Sequence, residues 1–172
     1  MLPRLAAIPP SRRLLSPRRA THSLPRPTTL DDGCISASYL RGGTSKGIFL
    51  HRRDLPADPA AWKPILLGLM GSPDPAHGRQ LDGMGGGVSS LSKVCVVQPP
   101  DPAQRARGID VVYTFVQVGI RDAAIDLSGN CGNLSSMIGV FALDEGLAAA
   151  GPAARAAGLA TVRALNTNTD KL

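Results

Sequence analysis

At 172 residues, 43% hydrophobic but only 3% aromatic, the chain suits one domain whose core is built from Val, Ile, Leu, Ala and Met. Its net charge of +6 does not mark a nucleic-acid surface: the first thirty residues hold six arginines (Arg4, Arg12, Arg13, Arg18, Arg19, Arg26) and no acid, and the remaining basic and acidic residues balance. No apolar run approaches the roughly 20 residues of a membrane span, and Cys34, Cys95 and Cys131 form no CxxC pair, which excludes a zinc ribbon or a disulfide framework and fits a reducing compartment.

The leader, residues 1–30, is arginine-rich, free of acids and carries Ser11, Ser16 and Ser23, the composition of a mitochondrial transit peptide. Six prolines interrupt the amphipathic helix such peptides form, so an untargeted cytoplasmic extension stays open as the alternative. The folded part is expected to begin near Asp31 and to run as one domain over residues 31–172.

In chain order, "CISASYLRGG" reads as a strand entering a glycine turn, and "GIFL" as the strand leaving it. "DPAAWKPILLGLMG" reads as a helix with Asp58 as cap, Pro59 at its first position and Gly71 as terminator, its regular part beginning near Pro64. "LDGMGGGVSS" is a glycine-rich loop. "SKVCVVQ" and "GIDVVYTFVQVGI" are strands joined by a Pro-rich turn at Pro99, Pro100 and Pro102. "AAIDL" is a short strand leading through Gly129–Asn133 into one helix with apolar positions at Leu134, Met137, Ile138, Phe141 and Leu147. "ATVRALNTNT" starts a strand with no partner downstream, which reads as an architecture cut short and predicts an exposed edge, hence a homodimer or aggregation.

Three segments could carry chemistry. Cys131 in "SGNCGNLSS" falls at a helix entrance, where unpaired N–H groups favour a thiolate or hold a carboxylate. Gly129 and Gly132 would permit unusual dihedrals and close substrate approach, and Asn130 and Asn133 add amide donors. The plainer reading, a small buried core cysteine, fits the polar flanks poorly. "RGGTSKG" offers Arg41, Thr44, Ser45 and Lys46, but lacks the P-loop order. "GMGGGVSSLSK" fails the dinucleotide template because Val88 replaces its last glycine. Both are ordinary glycine turns or supply N–H groups, hydroxyls and a cation for carboxylate recognition. Lys93 then opens an apolar strand, either as a solvated strand end or as a charge and proton partner. Cys95, two residues later on the same face, is expected to be packed and inert. His51 and His77 have no ligand-like spacing, and no metal site is read here.

Taken in order, "RGGTSKGIFL", "LPADPAAW", "MGSPD", "RQLDGMGGGVSSLSKV", "DLSGNCGNLSS" and "VRALNTNT" resemble the PrpF family of 2-methylaconitate cis-trans isomerases and related tricarboxylate isomerases, over residues 39 to about 169. The resemblance implies an α/β, diaminopimelate-epimerase-like fold: a curled mixed sheet around a central helix, of which this chain would be the N-terminal half of two. It implies cofactor-independent proton transfer on a small-molecule tricarboxylate such as methylaconitate or aconitate. Carried across by position, Cys131 and Lys93 match the family's proposed acid–base pair. Arg41, Thr44, Ser45, Lys46, Ser89, Ser90, Asn130, Gly132 and Asn133 match positions expected to line the carboxylate pocket. Departures lie at Ala164 and Leu165, where a β-branched pattern is usual, at Asp170, where glycine is usual, and in the second domain, which is missing. The alternatives are a non-catalytic, truncated half-domain and a thiol sensor built on Cys131, the latter without a resolving cysteine nearby.

Overall fold

The computed structural model describes residues 34–172; the leader, with its targeting expectation and its boundary at Asp31, lies outside the described residues. Strands β1 (Ala37–Gly42) and β2 (Ser45–His51) form the expected hairpin, closed through Gly43 at φ +51. β2 pairs in parallel with β3 (Lys93–Gln98), which requires a crossover. β3 pairs antiparallel with β4 (Val111–Val118), and β4 with the short β5 (Ile125–Asp126). The result is an open, mixed sheet in an α/β domain.

Helices cover both faces of this sheet, which explains why "VCVV" is continuously apolar rather than alternating. Ile48, Leu50, Val94, Val96, Val116 and Val118 pack on Trp62, Leu66, Leu67 and Met70 of helix α1 (Trp62–Met70). The opposite face, carrying Phe49, Cys95, Val97 and Phe115, packs on Leu134, Ile138 and Phe141. That second layer comes from the segment after Cys131.

The crossover from β2 to β3 begins as its sequence dictates. Asp58 accepts from Ala60 N at 2.9 Å and caps a 3-10 turn at Pro59–Ala61, and Gly71 at φ +72 ends α1. Pro64 is the third residue of α1, where its missing N–H has no intrahelical acceptor to lose.

The glycine-rich stretch that follows is tightly bonded. Asp74 accepts from the backbone N–H groups of His77 (3.0 Å), Arg79 (2.8 Å) and Gln80 (3.0 Å). Gln80, almost fully buried, donates to Ser72 Oγ (2.8 Å) and accepts from Gly87 N (3.0 Å) and Ser92 Oγ (2.7 Å). These bonds fix the approach to Lys93. The Arg79 N–H first, then that of His77, hold the Asp74 carboxyl down to about 2 against its ordinary 3.8. The sign follows: the carboxylate bonds are fully present above pH 3.8 and are lost as pH falls through about 2. Acidification over that window should open the 72–92 loop to proteolysis before the sheet melts. Asp74→Asn should leave that loop sensitive at neutral pH and abolish the transition, and a variant retaining the acid-dependent opening would contradict this role.

Four expectations change. The Pro-rich turn contains helix α2 (Pro102–Ala106), because Asp101 and Gln104 form a reciprocal capping box and Pro102 begins the helix. The single helix after Cys131 divides into α3 (Gly132–Ser135) and α4 (Ile138–Asp144). Here Ser135 Oγ bonds Cys131 O (3.0 Å), Ser136 Oγ bonds Asn133 O (2.7 Å), and Met137 N tightens onto Leu134 O (2.9 Å). Helix α5 (Pro152–Ala157) stands in a segment where none was read.

Finally, the terminal strand has a partner. β6 (Ala164–Asn166) lies parallel to the start of β4, with Val111 opposite Ala164 and Tyr113 opposite Asn166. β4 is long enough to take β6 and β5 along one edge, and Asn168 fills the gap between them. Its amide accepts from Phe115 N (2.8 Å) and donates to Phe115 O (2.8 Å) and Leu127 O (2.6 Å). On its other side β6 makes only the single bridge Asn166–Lys171, so it stands at an edge of the sheet.

Candidate active site

Cys131 sits where β5 turns into α3, with extended backbone at φ −121 and ψ 103. Its thiol is half-buried and lies 3.5 Å from Ser45 Oγ. Ser45 opens β2 and is buried; its Oγ accepts from the thiol, and its hydroxyl can turn to donate to a thiolate. α3 is a single turn, which leaves local N–H groups, not a long helix dipole, as the polarising feature. Gly129 and Gly132 do not have positive φ, so the expected unusual dihedrals are absent. A side chain at either would meet open space, and room beside Cys131 is what these glycines leave.

Lys93 opens β3 directly opposite Gly47, on the face that carries Ser45, Cys95 and Cys131. A Cβ at Gly47 would come within 2.7 Å of Lys93 O and 2.8 Å of Leu134 Cδ1, so this glycine lets α3 close onto the strand pair. Lys93 is 9% exposed; its Nζ donates to Gln117 Oε1 at 2.5 Å and lies 5.2 Å from the Phe115 ring centre. Gln117 is itself held, its Nε2 donating to Ser92 O (2.9 Å) and Ser89 O (3.1 Å). Among the described residues no carboxylate oxygen lies within 4 Å of the ammonium. Cys95 is fully buried between these groups. Burial pushes its thiol up, the nearby Cys131 sulfur adds to that, and Lys93 opposes it.

The remaining residues divide. Thr44 Oγ1 accepts from Asn133 Nδ2 at 3.0 Å, tying the hairpin turn to α3 beside Cys131. Asn130 Oδ1 receives Ser135 Oγ (3.2 Å), Tyr113 OH (3.3 Å) and Asn166 Nδ2 (3.3 Å), so its carbonyl holds the loop. Gly132 and Asn130, with Tyr113, Ser135, Asn166 and Lys171, border a cavity of about 560 Å³. Ser89 and Ser90 form the 3-10 turn before Lys93, and Ser89 contributes its carbonyl to Gln117. Arg41 and Lys46 face each other across the hairpin, but alternation directs both away from the Ser45 face. Arg41 Nε is bonded to Gly43 O at 3.0 Å. The structure does not bring this pair to Cys131.

Gln117, Tyr113 and Asn166 were not singled out by sequence reasoning. A polar residue inside "FVQVG", and the buried first asparagine of "NTNT", are the signals that point to them. No group of three or more His, Cys, Asp or Glu among the described residues could hold a metal ion.

The family model for the PrpF protein matches residues 33–172. A 2-methyl-aconitate isomerase of Shewanella oneidensis is 43% identical over 141 residues, covering 80% of this chain and 34% of its own. A 3-methylitaconate isomerase of Eubacterium barkeri is 44% identical over 142 residues, covering 80% and 33%. The crystal structure of a methylitaconate-delta-isomerase superposes with a TM-score of 0.69 at 42% identity, over 80% of this chain and 32% of that one. The chain thus spans about a third of the length of the curated relatives it matches. With its motifs in order, its mixed sheet shared with a solved isomerase and its family match running through Cys131 and Lys93, the chain belongs to the PrpF family.

Proposed function

We propose that this domain carries the proton-transfer face of an isomerase that shifts a double bond in small unsaturated di- and tricarboxylates, of the methylaconitate, methylitaconate or aconitate type. The observation that carries the reading is the pairing on one sheet face of a half-buried thiol with a buried lysine whose protein partners are all neutral. A buried cation without an anion is a place for one, and a substrate carboxylate meets that need. With a carboxylate at Lys93, the Cys131 sulfur removes a proton from the adjoining allylic carbon. The electron pair spreads over the conjugated carboxylate, and a proton is returned at the same or the vinylogous carbon. Ser45 Oγ and the first N–H groups of α3 steady the charges that form. No step requires a cofactor.

Solvent exchange tests this directly. In D2O, the chain should place deuterium at the allylic carbon of 2-methylaconitate or 3-methylitaconate, seen as loss of a proton NMR signal. Exchange needs only this face, so it reads out even where net isomerisation is slow. If neither deuterium nor isomer appears with any substrate of this class, the reading is wrong.

A further inference from the structure

We propose that Gln117 is a positioning residue: it holds Lys93 as an ammonium ion and aims it across the face that bears Cys131. The amide orientation is fixed by its other partners. Nε2 donates to the carbonyls of Ser89 and Ser92, and a flipped amide would set Oε1 against both of those oxygens. Oε1 is therefore permanently presented to Lys93 Nζ, 2.5 Å away. An amide oxygen accepts and cannot donate, so it satisfies a charged amine better than a neutral one. The Phe115 ring, 5.2 Å from Nζ, favours the cation for the same electrostatic reason.

The register makes this arrangement rigid. Lys93 and Gln117 are directly opposed across β3 and β4, and Phe115 lies two residues earlier on the same face. Gln117 contributes neither a charge nor a titrating group. It supplies an acceptor while leaving the lysine's positive charge unneutralised.

The functional consequence rests on the isomerase reading. Lys93 then binds the carboxylate as a cation and donates the returning proton from Nζ, while Cys131 takes up the departing one. The amine left behind regains its proton from the Cys131 thiol or from water, which closes the cycle.

The test follows Lys93 itself and needs no turnover. The full chain is pulsed with acetic anhydride at pH 8, and acetylation of Lys93 is read by mass spectrometry against exposed Lys63. Only a neutral amine reacts. Gln117→Met keeps the length and removes the acceptor, so Lys93 should acetylate about tenfold faster, the size expected for losing one hydrogen bond to a charged group. Gln117→Glu puts an anion beside Nζ, so acetylation should slow by about tenfold. A merely structural role would loosen the site in both variants and move both rates the same way. Iodoacetamide labelling of buried Cys95 reports unfolding, and if either variant exposes it, Gln117→Asn, with the amide withdrawn by one methylene, should accelerate acetylation as Met does. Rates that move together, stay at the wild-type value or reverse in order overturn the proposal. A wild-type chain that fails the deuterium assay while the acetylation pattern holds would remove the isomerase reading and leave the Gln117–Lys93 assignment standing.

Discussion

Cys131→Ser should reduce isomerisation and solvent exchange by about 10³-fold or more, at the upper end of what one acid–base group contributes, while the fold stays intact. The serine hydroxyl is far less acidic than a thiol and cannot supply the base at neutral pH. Fold retention is expected because the side chain is half-buried and its one polar contact, with Ser45 Oγ at 3.5 Å, is long and weak. Lys93→Met, which keeps the aliphatic stem over Phe115 and removes the charge, should cost about 10²-fold and raise KM for a multiply charged substrate. Alkylation separates the thiols: Cys131 should react with iodoacetamide in the native protein. Cys95, fully buried and with its thiol pushed up by that burial, should react only on unfolding. Substantial turnover by Cys131→Ser, or native-state labelling of Cys95 at the rate of Cys131, would defeat the assignment.

Gly42→Ala should be the most damaging single-methyl change near the site. Gly42 faces α3, and an added Cβ would overlap the backbone carbonyl of Asn133 and touch Met137 Cγ at 3.0 Å. A backbone oxygen cannot rotate aside, so either the hairpin or the Cys131 loop must move. Overpacking of this kind costs about 3 kcal/mol. The displacement would also break the Asn133–Thr44 bond and draw Cys131 away from Ser45. Both melting temperature and exchange rate should therefore fall. Gly132→Ala is the informative contrast, since its Cβ would meet open space and its φ is not positive. It should keep the melting temperature and affect only substrate access. Equal melting temperatures for Gly42→Ala and wild type would show that the close packing of hairpin on α3 is not as described.

Much of the local structure was legible because local chemistry sets it. Asp58, Pro59 and Gly71 bracket α1 through capping, a fixed φ and a left-handed terminus, all decided within a few residues. "RGG" between two apolar runs marks a hairpin for the same reason. Cys131 and Lys93 emerged from their motifs, and the fold places both on one face. What the sequence could not determine depends on pairing across long separations. β6 joins β4 some fifty residues away, so no pattern near "VRALNTNT" reveals its partner. The face on which a strand residue lies is fixed only when the register is. This is why Arg41 and Lys46, adjacent to useful residues in sequence, turn away from Cys131, while Gln117, an unremarked polar residue in an apolar strand, meets Lys93. A period of two makes sequence neighbours point apart, and tertiary pairing brings the working residues together.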